Sequence, residues 1–184
     1  MDNLIVRTAE IQQGKLVVYG SNAGKIITKG MECTGQLRIA NRFHAELSLV
    51  YQESKDQRDF FNDTELPYSP RFLGYLKASY KFQNGLSLAI TGNYIDEMET
   101  KWDETSINAN GSYERRIGLK TDDYLILSAN VRLDDFIRNG LFVSIHGSNI
   151  FDKQYLHPCN YANYFEKGSI GQGRLLMMTM GLEF

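Results

Sequence analysis

The chain has 184 residues, of which 42% are hydrophobic and 23% charged, and its formal net charge is −2. This balance of charge gives no reason to expect nucleic acid as a partner. No apolar run approaches the ~18 residues that a membrane-spanning helix requires, although a barrel strand, apolar on one side only, needs no such run. Eleven tyrosines and ten phenylalanines against three prolines favour strands over helices.

Apolar and polar side chains alternate in repeated segments along the chain. Because alternate side chains of a strand point to the same face, each segment predicts a strand with one apolar face. The first predicted strand is Leu4 to Glu10, and a short loop is expected over residues 12–24. The apolar sets of the next six strands are Met31, Cys33, Gly35, Leu37 and Ile39; Phe43, Ala45, Leu47, Leu49 and Tyr51; Phe72, Gly74, Leu76, Ala78, Tyr80 and Phe82; Leu86, Leu88, Ile90, Gly92 and Tyr94; Leu125, Leu127, Ala129, Val131 and Leu133; and Leu141, Val143 and Ile145.

The last twelve residues, 173–184, continue the alternation and bring the predicted total to eight strands. The apolar face of this segment carries Leu176, Met178, Met180, Leu182 and Phe184. Its other face carries Thr179, Gly181 and Glu183, which would suit a wet interior.

Short and long connections alternate between the predicted strands. Tight turns are expected around residues 41–42, 83–85 and 135–139, and long polar loops over 53–69, 96–122 and 152–172. Outer-membrane barrels have short periplasmic turns and long extracellular loops. The pattern therefore predicts an all-β, antiparallel, up-and-down transmembrane barrel segment of about eight strands. A soluble β-sandwich, the reading against it, gives no reason for long and short connections to alternate.

Four sequence landmarks carry a family resemblance. Residues 148–155 read Ser-Asn-Ile-Phe-Asp-Lys-Gln-Tyr, and after a loop the chain continues through Gly173-Arg174 to its end at residues 180–184. Residues 67–72, Pro-Tyr-Ser-Pro-Arg-Phe, enter a strand, and residues 22–25 lead to Gly30-Met-Glu. In this order, the landmarks resemble the C-terminal end of TonB-dependent outer-membrane receptors. The resemblance covers essentially the whole chain but only about the last third of such a receptor.

The resemblance implies a fold and a function for the intact receptor. Such receptors have a barrel of about twenty-two strands closed around an N-terminal plug, preceded by a box that engages TonB. They take up scarce ligands, most often ferric siderophores, across the bacterial outer membrane. Residues 1–184 correspond to the C-terminal part of the barrel, with the plug, the TonB box and a signal peptide absent. The chain is therefore expected to be a fragment that does not transport alone.

The long loops hold the candidate ligand contacts, because such a receptor binds its ligand between extracellular loops and plug. Trp102, Tyr113, Arg115 and Arg116 in the longest loop offer charge and stacking to an anionic or aromatic ligand. The aromatic clusters of the other loops are Phe60 and Phe61, and Tyr161, Tyr164 and Phe165. The alternative for any one of these residues is packing between loops.

The resemblance also implies partners for the strands. Phe184, with Leu182 and Met180 before it, resembles the signal by which the barrel-assembly machinery recognises its clients. The remaining expected partners are the TonB complex, the lipid bilayer and lipopolysaccharide. On the polar face, the charged residues are expected to pair between strands or, in an intact receptor, to contact the plug; they are Glu32, Arg38, Glu46, Lys77, Lys81, Arg132 and Asp134.

The sequence contains few features that indicate a catalytic site. The three histidines lack metal-ligand spacing, and the Gly-rich residues 168–173 lead into a strand where a phosphate-binding loop would open a helix. We therefore expect no enzyme, no cofactor and no metal. The alternative function is that of a small eight-stranded outer-membrane barrel with an adhesive or structural role.

Overall fold

The computed structural model describes residues 4–57, 64–103, 105–108, 113–135, 137, 139–158 and 168–183. All of the regular secondary structure in these ranges is β-strand. In this part of the chain, no helix is long and apolar enough to cross a membrane.

Twelve strands follow one another in the described ranges. They are β1 (Leu4–Gln12), β2 (Lys15–Gly24), β3 (Ile26–Ile39), β4 (Phe43–Asp56), β5 (Thr64–Glu65), β6 (Phe72–Lys81), β7 (Leu86–Ile95), β8 (Tyr124–Leu133), β9 (Leu141–Ser148), β10 (Leu156–His157), β11 (Ser169–Ile170) and β12 (Leu175–Leu182).

Seven long strands form one antiparallel sheet in the order β12-β9-β8-β7-β6-β4-β3, and the short β5 pairs with the far end of β4. Strands β10 and β11 pair with each other in a separate two-stranded sheet. Apart from this pair and β5, neighbours in the large sheet follow one another along the chain, so the predicted up-and-down antiparallel fold is confirmed. The sheet is a partial barrel whose edges are β3 and β12. These two edges do not pair with each other, so the described strands do not close the small barrel that was the alternative reading.

The prediction of a loop over residues 12–24 is wrong. Gln13 and Gly14 form a two-residue turn with φ angles of 50° and 75°, and β2 pairs directly with β1 in a separate hairpin. Positive φ at both turn positions gives the backbone twist that a tight hairpin requires. Strand β2 was not predicted because its apolar residues 16–19 are consecutive and do not alternate with polar residues.

The pairing register places the predicted apolar sets on one face of the sheet. Leu47 lies opposite Leu76, and Val131 lies between Leu88 and Ile145 in neighbouring strands. Because directly paired residues share a face, this register makes the apolar face continuous from β3 to β12. The other face carries polar rows, of which one is Gln36, Glu46, Lys77, Thr91 and Ser128.

The turns at residues 40–42 and 83–85 and the residues that follow β8 lie at one end of the large sheet, where charged residues of the polar face meet. Arg132 lies 2.7 Å from carboxylate oxygens of both Asp134 and Glu183, and Lys81 lies 3.7 Å from Asp134. Pairing between strands is thus confirmed for Lys81, Arg132 and Asp134. The described parts of the long loops lie at the opposite end of the sheet, which we call the loop end.

Candidate functional site

The most buried side chains of the described chain lie at the loop end and not in the middle of the sheet. Apart from glycines, the described residues that are no more than 9% exposed are Ser54, Asp56, Met98, Thr100, Asp103, Thr121, Tyr124 and Asn149. Six of these eight are polar. The loop end therefore has a small core of its own, held by polar contacts.

Residues 96–103, 105–108 and 113–122 pair as two antiparallel halves that continue β7 and β8 beyond the sheet, and we call them the 96–122 hairpin. Isolated bridges join Met98 to Thr121, Trp102 to Arg116 and Ile107 to Tyr113. The Asp103 amide donates to the Arg115 carbonyl at 3.0 Å, and Met98 donates to the Thr121 hydroxyl at 3.2 Å. The segment was predicted to be a long polar loop, and the structure adds that its two halves are paired.

Two of the predicted ligand contacts, Trp102 and Arg116, face each other across this hairpin. The Arg116 guanidinium carbon lies 4.5 Å from the centre of the Trp102 ring, a cation–π contact. Arg116 also donates to the Thr100 carbonyl and lies 3.5 Å from a carboxylate oxygen of Glu99. Burial lowers the pKa of Arg116 while Glu99 and Glu65 raise it, and the guanidinium keeps its charge. Arg116 is thus occupied by contacts within the protein.

Arg115 and Tyr113 complete the predicted group on the same hairpin. The Arg115 side chain is 71% exposed, and its guanidinium lies 2.9 Å from Oδ2 of Asp103. Oδ1 of Asp103 accepts from the Thr105 hydroxyl at 2.6 Å and from the Thr105 amide at 3.0 Å. The Thr105 hydrogen bonds, with help from Arg115, lower the pKa of Asp103, against the opposing effect of its burial. Arg115 therefore presents a fixed, accessible cation at the loop end.

The other predicted contacts are outside the described residues. Phe60, Phe61, Tyr161, Tyr164 and Phe165 all fall there, and so does Phe184. Of the predicted assembly signal, Met180 and Leu182 lie on the apolar face of β12 and are 61% and 36% exposed.

An aromatic group at the loop end was not predicted. The Tyr124 and Tyr155 ring centres are 4.4 Å apart, and the His157 ring lies 5.4 Å from Tyr155. Beside them, Asp122, Asp123 and Tyr155 line a cavity of about 380 Å³. The only sequence feature that points to this aromatic group is the landmark at residues 148–155, which ends on Tyr155.

Among the described residues, no group of three or more His, Cys, Asp or Glu side chains is placed to hold a metal ion. The contacts found at the loop end are hydrogen bonds, ion pairs and ring contacts.

Comparisons with known proteins give a family and a fold. Residues 1–149 match a family model described as TonB dependent receptor-like, beta-barrel. No curated protein matches the sequence.

Solved structures share the fold at low sequence identity. The ferric-catecholate import receptor Fiu from E. coli K12 has a TM-score of 0.71 at 18% identity over 100% of this chain and 24% of its own. The pyoverdine outer membrane receptor FpvA from Pseudomonas aeruginosa has 0.69 at 18% identity, over 98% of this chain and 25% of its own. The copper transporter OprC has 0.66 at 14% identity, over 99% of this chain and 27% of its own. The chain thus spans about a quarter of the length of these proteins.

Proposed function

The chain belongs to the TonB-dependent receptor β-barrel family, and from this premise we propose that it is the C-terminal part of an outer-membrane receptor that takes up a scarce ligand such as a ferric siderophore. One observation carries the proposal: seven antiparallel strands share one continuous apolar face, and their long connections gather at one end. The apolar face suits lipid, and the loop end suits capture of a ligand from outside.

The open edges of the sheet support the placement within a larger barrel. Strands β3 and β12 each pair on one side only among the described residues. Unpaired backbone groups are costly in a bilayer, so strands that cross it form closed barrels. In the proposal, further strands of the receptor complete the barrel around residues 1–184, and the plug and TonB box belong to its other parts. The TonB complex, lipopolysaccharide and the barrel-assembly machinery are the proposed partners.

Arg115 is the proposed anchor for an anionic ligand, and Trp102 and Tyr113 of the same hairpin are proposed as further contacts. Its guanidinium is exposed and already oriented by Asp103, so less side-chain entropy is lost when a ligand binds. Phe60, Phe61, Tyr161 and Tyr164 are the proposed aromatic contacts from the neighbouring loops. Three solved relatives are named for ferric citrate, a ferric catecholate and ferripyoverdine. Chelates of this kind carry oxygens that can accept hydrogen bonds from Arg115.

The test is uptake of radiolabelled iron by cells that produce the full-length receptor, supplied in turn with ferric citrate, a ferric catecholate and ferripyoverdine. We expect uptake of at least one chelate, and its loss in cells without TonB. Arg115→Ala should weaken the apparent affinity by roughly tenfold or more, because a charge-assisted hydrogen bond contributes about 1.5–3 kcal/mol. Ser128→Ala, on the polar face away from the loops, is the control and should change nothing. Uptake that is equal with and without TonB would contradict the proposal.

A further inference from the structure

Two of the long loops are joined by a pair of hydrogen bonds to backbone carbonyls. Nη2 of Arg116 donates to the Glu65 carbonyl at 2.9 Å, and the Tyr68 amide donates to the Glu99 carbonyl at 2.9 Å. The first contact joins residues 51 positions apart in the chain. The 96–122 hairpin is thereby attached to residues 64–71, which we call the β5 segment.

The β5 segment is itself fixed to the sheet. Thr64 and Glu65 pair with Asp56 and Lys55 of β4. The carboxylate of Glu65 is held by Arg71, whose Nε and Nη2 donate to it at 3.0 and 3.2 Å. The Glu65 carboxylate is therefore paired with Arg71 and acts on Arg116 through its charge, whereas the Glu65 backbone carbonyl accepts the hydrogen bond from Arg116.

The chemistry of the contact requires an arginine. The guanidinium is a planar group with five donors, and here it reaches two carbonyls and a carboxylate while its face covers a ring. A lysine ammonium is a compact point charge and cannot reproduce that geometry. The Arg116 side chain is 16% exposed, and Thr100 beside it is fully buried. Removing the guanidinium would take this donor away from two part-buried carbonyls, which costs more than the loss of an exposed contact.

An ion network on Glu99 reinforces the contact. Besides Arg116, the Glu99 carboxylate lies 3.7 Å from Nζ of Lys120, which lies 2.5 Å from Glu97. Lys120 belongs to the returning half of the hairpin, so the network also ties the two halves to each other.

We propose that Arg116 is a positioning residue that latches the described part of the 96–122 hairpin to the β5 segment, so that the two segments behave as one cooperative unit. The latch itself is a property of the fold. A role of the latch in ligand capture rests on the proposed function. In that role, Arg115 contacts the ligand, and Arg116 fixes the position of the hairpin relative to the β5 segment.

Hydrogen exchange of the full-length protein tests the latch without any ligand. In Arg116→Met, exchange should be about tenfold faster in both the β5 segment and residues 96–103, the size expected for one lost hydrogen bond to a charged group. In the matched variant Arg115→Met, the β5 segment should exchange as in the native protein. Faster exchange confined to the hairpin, or no change in either segment, would overturn the latch.

Two further variants keep the test decisive. Arg116→Lys retains the charge without the planar guanidinium, and its exchange rates should stay closer to those of Arg116→Met than to those of the native protein. Full restoration of protection would show that charge suffices and would overturn the proposed geometry.

If Arg116→Met does not assemble, Glu99→Gln is used, because it weakens the ion network and leaves the arginine in place. It should speed exchange in both segments by a smaller factor, and an effect on the hairpin alone would overturn the latch.

A ligand adds a readout that a local structural role would not move. With whichever of ferric citrate, a ferric catecholate or ferripyoverdine the receptor takes up, binding should protect both segments in the native protein and only the hairpin in Arg116→Met. Protection of both segments in the variant would overturn the coupling. If none of these chelates is taken up, the proposed function fails, whereas the exchange result without ligand still decides the latch.

Discussion

The sheet and the loop end of this molecule are stabilised in different ways. In β3, β6, β7, β9 and β12, no residue other than glycine is buried, and the buried residues of β4 and β8 lie at the loop end. Leu76 and Met178 of the apolar face are 48% and 70% exposed. At the loop end, by contrast, Thr100 is fully buried and Thr121 is 2% exposed. The sheet depends on its backbone ladder and on what surrounds it, whereas the loop end depends on contacts that it makes with itself.

In the proposed receptor, this difference follows from the medium that each region faces. An apolar face in lipid needs no protein core behind it, and every backbone group must be paired within the sheet. The loops face water, where an extended hairpin keeps its shape only if specific contacts hold it. We therefore expect the effect of a substitution on stability to depend, in the sheet, on the face that the residue occupies. At the loop end, it should depend on the hydrogen bonds that the substitution removes.

The largest expected effect comes from placing a charge on the apolar face. Leu127 lies near the middle of β8, opposite Gly92, on that face. Leu127→Arg should cost roughly 2–4 kcal/mol, the cost of an arginine near the bilayer midplane. The measurement is the amount of folded receptor in the outer membrane and its free energy of unfolding in lipid vesicles.

The neighbouring residue on the same strand supplies the control. Ser128 lies on the polar face, opposite Thr91. Ser128→Arg introduces the same side chain one position away, and we expect assembly and stability close to those of the native receptor. Equal losses in the two variants would mean that the faces are not distinguished by lipid and water.

How far the sequence predicts the structure also differs between the two regions. Period-two alternation predicts the strands and their faces because one backbone geometry governs every residue, and it failed at β2, where residues 16–19 do not alternate. No comparable rule governs the loop end. Arg115 and Arg116 are adjacent and identical, yet one is exposed and the other holds a carbonyl 51 residues away. A backbone carbonyl carries no sequence signal, so this contact could not be predicted.

A smaller effect is expected at Asn149, which ties the end of β9 to the approach of β12. Its side chain donates to the carbonyls of Lys153 and Gln172 at 2.9 and 3.0 Å and accepts from the Lys153 amide at 2.8 Å. Asn149 is 3% exposed and has a φ of 48°. Asn149→Ala should cost about 2 kcal/mol through unpaired buried groups and backbone strain. Hydrogen exchange of residues 175–182 measures the resulting loosening of β12.

Glycine at the same position separates the two causes. Asn149→Gly relieves the left-handed backbone but removes the same hydrogen bonds. We expect it to loosen β12 nearly as much as alanine does. A glycine variant that exchanges like the native protein would show that the side-chain hydrogen bonds contribute nothing.

The smallest expected effect is a pH dependence confined to the hairpin. The Thr105 hydrogen bonds and Arg115 depress the pKa of Asp103 in the folded state. The stabilisation is therefore fully present above the ordinary aspartate pKa of about 3.9, and it is lost as the pH falls through the depressed pKa. Below the depressed pKa, we expect the free energy of opening of residues 103–106 and 113–116 to be about 1 kcal/mol lower than above the ordinary aspartate pKa. Hydrogen exchange measures this difference, with β8 as an internal reference. Asp103→Asn cannot ionise, so its hairpin should be less protected at neutral pH and should show no such change. A native hairpin whose protection is the same on both sides of this range would mean that the Asp103 charge does not hold Arg115 in place.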